Sequence, residues 1–598
     1  MSKDLKDYTK EELLEYIKTL KRAKKFGLVW EEKPEQVVKD VETKLPVLEE
    51  VSTRAITTDP DSPTHLIIEG DNYHSLSTLN YTHAGEIDVI YIDPPYNTGN
   101  KDFIYNDNYV DKEDSFRHSK WLSFMSRRLE LAKTLLSDTG MLFISIDDNE
   151  LSQLRLLCDS IFGEDNFINC ISVKTKSSAG ASGGGEDKKL KKNVEYLLFY
   201  AKSKPDFNYR TTYVETDLMG IIAEKRDDGK QFEYRKVLFN EGEKTHFATV
   251  KDGSGMDIKI YKHSSYEIKS VPQLIKEEGL TEEEVYFNYF DKVFRGQPAQ
   301  SSIRTRVNEA TGNNKDLFSI EYTPRSGRRK GQIAVNHYIN CDLVNWLSDT
   351  AIKTKSGVKT REKLGTLWAG FSWNGLSSEG GVSFSNGKKP VSFIKKIIEH
   401  HPSNDVVVLD FFAGSGTTGH AVLDLNRADG GTRQFILGTN NEAGIAENVT
   451  YERIKNVIKG YGRTEGIPAN VRYLKTNFVD KQKTNDQTRL AIVDRSADLI
   501  RVRDNAFEAV IDEADLKVFK GAEHLTAIVF DPDKLVEHVN RIEELGLSKI
   551  VNLYVFSLSN YAYQDELPDT ELEITACPIP ESILEVYQRI FRKRVNNV

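Results

Sequence analysis

Asp93-Pro94-Pro95-Tyr96-Asn97-Thr98-Gly99 presents an acid, two carbonyls and an aromatic ring together. An apolar run over 87–92, with Asp88 as its only charge, reads as a buried strand leading into it. Neither proline can donate to a sheet ladder, so the strand stops there. In open α/β sheets the C-terminal ends of strands are where ligands bind. A cluster of this kind suits a planar, amino-bearing ring. Tyrosine can stack on the ring, while the acid and a proline carbonyl accept hydrogen bonds from the amino group. A nucleobase turned out of a duplex is such a ring.

The second stretch with chemical content is Gly414-Ser415-Gly416-Thr417-Thr418-Gly419, which follows another buried run over 406–409. Its glycines permit a tight strand-to-helix turn and close approach of a ligand to the backbone. A phosphate-binding P-loop is excluded, because no Lys-Ser/Thr follows the last glycine. A dinucleotide and S-adenosylmethionine (AdoMet) both fit the glycines, which do not choose between them.

The elements around these stretches alternate as in an α/β fold. Residues 66–68 form a short strand leading to Gly70-Asp71-Asn72, and 73–81 a helix. Trp121, Met125, Leu129, Ala132 and Leu136 recur at helical spacing, with Gly140 ending the helix, and 141–146 is a strand. A helix over 151–161 and a strand over 194–200 follow. Alternation is lost over about 205–365 and returns with a helix over 390–399, strands at 406–409, 435–437 and 471–474, and a helix over 451–459. Thr9 and Glu12 have capping-box spacing ahead of a helical face formed by Leu13, Ile17 and Leu20. The domains expected are a helical arm over 1–50, a first α/β half over 51–204, an insert over 205–365, a second α/β half over 366–475 and an α/β C-terminal domain over 476–598.

Bulk composition narrows the class. Of 598 residues, 39% are hydrophobic and 29% charged, as in an ordinary soluble chain. No apolar run reaches the roughly 20 residues that span a bilayer. The N-terminus lacks the apolar core of a signal peptide, so a cytoplasmic location is expected. Cys158, Cys170, Cys341 and Cys577 form no CxxC, which argues against a zinc site or a disulfide framework; no metal is expected. The net charge of -10 does not exclude nucleic acid, since binding follows local clustering. Two basic clusters stand out. One is the Gly/Ser-rich, lysine-rich segment from Lys174 and Lys176 to Lys192; the other is Arg304, Arg306, Lys315, Arg325, Arg328, Arg329 and Lys330 within the insert. Each reads as a candidate phosphate contact or as a solvated surface.

Asp410-Phe411-Phe412-Ala413-Gly414-Ser415-Gly416-Thr417-Thr418, together with Asp-Pro-Pro-Tyr, resembles the DNA amino-methyltransferases. The order of the two motifs resembles the β arrangement, in which a target-recognition domain lies between the halves of a Rossmann-like AdoMet-dependent sheet. The stretches starting at Ile68, His118, Ile144 and Thr439, with Lys25-Phe26-Gly27-Leu28-Val29-Trp30 and the segment from Cys577, resemble the modification subunit of type III restriction–modification systems. The resemblance covers nearly the whole chain and is weakest over 205–365.

The resemblance implies an adenine-N6 DNA methyltransferase that flips its base, a homodimer, and a restriction subunit with ATPase and nuclease activity as partner. It implies that Asp93 and the Pro94 carbonyl hold the target amine beside Pro95, and that Tyr96 stacks on the base. An acid at the first position favours adenine over cytosine N4, where serine is commoner in the family. No Pro-Cys dipeptide is present, so C5-cytosine transfer is rejected. For AdoMet, the resemblance implies Asp410, Phe412, Gly414 and Gly416 at the turn and Thr417 toward the methionine carboxylate. It further implies Asp71 toward the adenine, Glu442 rather than Asn441 toward the ribose, and Lys389 and Pro390 on the cofactor side. Kept beside this are a stand-alone methyltransferase without a nuclease, a DNA-binding protein that has lost catalysis, and an oxidoreductase resting on the glycines alone.

Overall fold

The computed structural model describes residues 9, 30–59, 62–100, 102–106, 108–176, 190, 192–298, 301–325, 330–373, 376–384 and 387–592. The capping box at Thr9 and the helical face of 13–20 lie outside the described residues, apart from Thr9 itself. So does most of the lysine-rich loop. The chain divides into two compact units, residues 1–210 with 365–598, and residues 211–364.

The first unit is built on a ten-stranded sheet. In chain order its strands are β1 (Lys44–Glu50), β2 (Thr64–Glu69), β3 (Ile87–Ile92), β4 (Leu136–Ile146), β5 (Phe167–Lys174), β6 (Val194–Ala201), β7 (Leu367–Trp368), β8 (Val407–Asp410), β9 (Gln434–Thr439) and β10 (Asn470–Asp480). Across the sheet they run β1-β10-β2-β9-β8-β3-β4-β6-β5-β7. The middle, from β10 to β4, is parallel. Helices α1 (Gln36–Thr43), α2 (Asn72–Thr82), α3 (Arg117–Leu135), α4 (Leu151–Phe162), α5 (Val391–Ile398), α6 (Thr417–Asp429) and α7 (Tyr451–Lys459) belong to the same unit.

The central strands read as nearly unbroken apolar runs because helices cover both faces of a parallel sheet. In β3 only Asp88 interrupts, and its carboxylate accepts the Val407 amide at 3.0 Å, at the start of the neighbouring β8. The pairing of Val89 with Val408 and Ile90 with Leu409 makes β3 and β8 neighbours, although the whole insert separates them in sequence. Their C-terminal residues therefore emerge side by side. Helix α5 packs beside them through Val391, Phe393, Ile394, Ile397 and Ile398. Each such buried side chain contributes about 1.5–3 kcal/mol relative to exposure.

Three sequence readings change. Residues 44–50, expected in a helical arm, form strand β1, antiparallel to β10. Pro46 is tolerated there because β1 is the edge of the sheet. Leu136 does not end α3 but starts β4, opposite Ile87. Gly140 is not a helix cap either. It lies within β4, where a Cβ would come within 2.9 Å of Leu136 and of the Ser137 carbonyl. Residues 167–174, not recognised as regular, form β5 against β6.

Residues 211–364 carry an eight-stranded and a three-stranded sheet, with antiparallel pairing throughout. Hairpin-linked strands explain why strand–helix alternation vanishes from this part of the sequence. The C-terminal part of the first unit adds a five-stranded mixed sheet over 508–579. The helix Glu581–Arg592 follows it, and its Ile583 and Tyr587 join the main core.

Candidate active site

A cleft of about 1110 Å³ opens at the C-terminal ends of β2, β3, β8 and β9. It is lined by Asp71, Asp93, Pro94, Pro95, Tyr96, Lys389, Asp410, Phe412, Gly414, Thr417 and Glu442 among others. Most of the site residues expected from the sequence thus meet in one place.

On the β3 side, the Tyr96 hydroxyl lies 2.9 Å from Asp93 Oδ1 and 3.1 Å from Glu195 Oε2. Lys389 Nζ lies 3.1 Å from Asp93, 3.3 Å from Glu195 and 2.9 Å from the Tyr96 hydroxyl. Burial pushes Asp93 above the usual carboxylate range, while Lys389 pulls it down. Lys389, expected on the cofactor side, sits on the Asp93 carboxylate and lines the same cleft as the expected cofactor residues. The reason is the short link from Lys389 into α5, which Pro390 caps beside the end of β3. The Trp121 indole donates to the Pro95 carbonyl at 2.7 Å, so the helical spacing that marks Trp121 as core hides a second task.

Behind this loop, Asn97 adopts a left-handed φ of 56°. Its amide donates to Glu150 Oε1 at 2.6 Å and to the Arg117 carbonyl at 3.3 Å. Glu150 is fully buried, and burial raises its carboxyl to about 8. His118 Nδ1 lies 2.6 Å from the same oxygen.

On the β8 side, Asp410 accepts the Phe412 amide at 3.0 Å and the Thr418 hydroxyl at 2.6 Å. Burial raises it to about 7 against those bonds. Gly414 and Gly416 have φ of 51° and 76°, a region where side chains are strained. A Cβ on Gly416 would also approach Thr450 to 3.3 Å, and one on Gly419 would meet Ile454 at 2.7 Å. The last glycine thus seats α6 on its neighbours. Arg453, wholly buried, donates to the Thr417 hydroxyl at 2.8 Å and Ser415 at 3.1 Å, and pairs with Glu379 at 2.9 Å. Sequence reasoning missed both Arg453 and Glu379, since an arginine inside a helical repeat reads as an exposed residue.

Asp71 caps α2 by accepting the Tyr73 amide at 2.7 Å and faces the buried Arg128 at 3.3 Å. Beyond β9, Asn440 and Glu442 line the cleft, while Asn441 accepts the Glu447 amide at 3.3 Å.

Among the described residues, the lining carries Glu35, Asp40, Asp71, Asp93, Asp102, Glu195, Asp410 and Glu442 against the single base Lys389. An acidic wall repels a pyrophosphate and suits a sulfonium cation and an uncharged base. This disfavours the dinucleotide reading and fits AdoMet, which Asp71, Phe412, Gly414, Thr417 and Glu442 would hold. Among the described residues no cluster could bind a metal ion.

Residues 87–452 match the model of the family described as DNA methylase. The chain belongs to that family. Type II methyltransferase M.KpnI of Klebsiella pneumoniae is 31% identical over 440 residues, 70% of this chain and 90% of that protein. The probable type III restriction-modification enzyme HindVI Mod subunit of Haemophilus influenzae is 38% identical over 400 residues, 66% of this chain. The chain spans about half the length of that relative (51%). The type III EcoPI Mod subunit of Escherichia phage P1 is 27% identical over 477 residues, 72% of this chain and 68% of that one.

The expected DNA contacts fall in both units of the chain. Lys174 and Lys176 are exposed at and just past the end of β5. Arg304, Arg306, Lys315, Arg325 and Lys330 belong to the 211–364 unit. Arg304 is spent internally, donating to the Cys341 carbonyl at 2.8 Å and to Asp342 at 2.9 Å. Arg306 reaches the Lys251 carbonyl at 3.0 Å. Arg325 and Lys330 are exposed. Arg328 and Arg329 lie outside the described residues. Among the described residues no helix is long and apolar enough to cross a membrane.

Proposed function

We propose that this chain methylates adenine N6 in duplex DNA with AdoMet, as the modification and recognition subunit of a type III restriction–modification system. The observation that carries this reading is the adjacency of Asp93 and Asp410 at the ends of paired strands. The amine-holding motif and the glycine turn open into one cleft.

AdoMet supplies a methyl group already activated on a sulfonium, so the protein's task is to place the acceptor. An exocyclic amine conjugated to a purine is a poor nucleophile. Asp93 and the Pro94 carbonyl accept its two hydrogens and turn the nitrogen lone pair out of the ring. The Tyr96 ring stacks on the base, a contact worth about 1–3 kcal/mol, which offsets the few kcal/mol of flipping. The acid at 93 favours adenine over cytosine N4. The rest is positioning.

The 211–364 unit reads the target sequence, with Arg306, Arg325, Arg328, Arg329 and Lys330 as its phosphate contacts. Lys174 and Lys176 hold the backbone near the cleft. The chain works as a homodimer in the cytoplasm beside an ATPase–nuclease subunit. The Mod-subunit relatives support that partner.

A second reading, a methyltransferase without a nuclease, is favoured by M.KpnI, a type II enzyme of which the chain covers 90%. A neighbouring gene for a large ATPase–nuclease supports the first reading; its absence supports the second. The function itself is tested by expressing the chain in a methylase-free bacterium and sequencing single DNA molecules. N6-methyladenine at one short motif is expected. N4-methylcytosine, or no modification, would sink the adenine assignment.

A further inference from the structure

Glu195 belongs to neither sequence motif, yet its carboxylate lines the cleft. It is the second residue of β6, two strands from β3 across β4. Its Oε2 lies 3.1 Å from the Tyr96 hydroxyl, which in turn lies 2.9 Å from Asp93 Oδ1. Lys389 Nζ spans the same two carboxylates, 3.1 Å from Asp93 and 3.3 Å from Glu195.

One lysine balances one carboxylate. A second carboxylate in a partly desolvated site is costly, and its charge makes Asp93 hold a proton more readily. Burial, chiefly, and then Glu195 raise Asp93, against the pull of Lys389. A purely structural cluster gains nothing from this arrangement, but a site that must take up a proton does.

Resting on the amine-methylating reading above, we propose that Glu195 is the far end of a proton path that runs from the methylated amine through Asp93 and the Tyr96 hydroxyl. Once the amine nitrogen has gained its methyl group it carries a positive charge. One N–H bond then breaks, its electron pair returns to nitrogen, and the proton bonds to the Asp93 carboxylate. Asp93 passes a proton to the Tyr96 oxygen as the Tyr96 hydroxyl gives its own to Glu195 Oε2. The balance is a neutral methylamine, Asp93 again ionised, Tyr96 unchanged and Glu195 protonated. With the amine seated on Asp93, whose side chain is 20% exposed, it is the Glu195 side chain, 25% exposed, that returns the proton to water. Lys389 keeps its charge and holds both carboxylates in place. Glu195 acts through Tyr96 and is a positioning residue.

The charged and titratable groups facing this path are Tyr91 within β3, Asp93 and Tyr96 at its end, Lys389 before α5, and Asp410 at the end of β8. Removing the Glu195 charge relieves Asp93 of a like neighbour, so the acid limb of the rate profile moves to lower pH while the rate itself falls.

The test is single-turnover methylation of genomic DNA from a methylase-free strain, with tritiated AdoMet, over a range of pH. Glu195→Gln is expected to be about 10²-fold slower, the low end for a positioned proton transfer. Its acid limb shifts downward, and its AdoMet affinity by calorimetry stays within about threefold of wild type. Glu195→Asp regains part of the rate, and carries the test should the glutamine variant fail to fold. Tyr96→Phe, which keeps the ring, slows by a similar factor, and the double variant is no slower than either single one. A Glu195→Gln enzyme with the wild-type rate and pH profile, or one impaired only through KM, overturns the path. A wild-type enzyme that methylates no adenine overturns the function reading instead, whatever the variants do.

Discussion

The Asn97 amide donates a 2.6 Å hydrogen bond to Oε1 of Glu150, a wholly buried carboxyl behind the Asp93 loop. The bond fixes the residue just after Tyr96 in a left-handed conformation. A loop that must hold an amine in one orientation is thereby tied to the body of the fold.

Glu150 makes stability depend on pH. Its folded carboxyl is raised from 4.5 to about 8 by burial, so the native state holds a proton that the unfolded chain has released. Stability is therefore fully present below the unfolded value and falls as pH rises through that window. Asp410, raised from 3.8 to about 7, acts with the same sign. Melting temperature is expected to drop from pH 5 toward pH 8. Glu150→Gln should flatten that slope in part, leaving the Asp410 share. An unchanged slope in the variant would refute the assignment.

Asp93→Ala is expected to lose on the order of 10²–10³ in methyl transfer. AdoMet binding should persist, because the glycine turn belongs to β8 and α6. Calorimetry and tritium transfer together separate the two effects. Retained N6-methyladenine formation would remove Asp93 from its role.

Arg453 supports the turn from beneath. Arg453→Ala leaves the Ser415 and Thr417 hydroxyls and Glu379 without their partner. Glu379 is 27% exposed and can be solvated in part, so the cost is that of lost charged hydrogen bonds, about 1.5–3 kcal/mol. Urea denaturation should show the loss, and AdoMet affinity should fall with it. A variant of wild-type stability and affinity would contradict this account.

The basic residues of the 211–364 unit should divide by their partners. Arg325→Ala or Lys330→Ala is expected to weaken DNA binding uniformly across sequences. Each should reduce the slope of log affinity against log salt by about 0.9. Arg304→Ala removes bonds to Cys341 and Asp342, so it should lower stability more than it changes the salt slope. Fluorescence titration at several salt concentrations distinguishes the two classes.

The strand ends at Asp93 and Asp410 were legible because their signals are local. A double proline stops a ladder, paired glycines permit positive φ, and apolar runs mark buried parallel strands. The compact unit 211–364 lies within the stretch where the sequence loses strand–helix alternation. Edges were harder. Residues 44–50 take their strand conformation from pairing with β10, a partner lying more than 400 positions away in the sequence. Leu136 left its helix for the same kind of reason, a pairing with Ile87.

By itself, then, the sequence determined which residues could hold an amine and which could turn around a cofactor. It also determined that the two sets belong to one α/β sheet. Only the tertiary structure decided that Lys389 serves Asp93 and that Glu195 joins them. It alone placed Glu150 and Arg453 beneath the two loops. These four act through polar contacts between residues distant in the sequence, and no local periodicity encodes which distant side chain will meet a buried polar group.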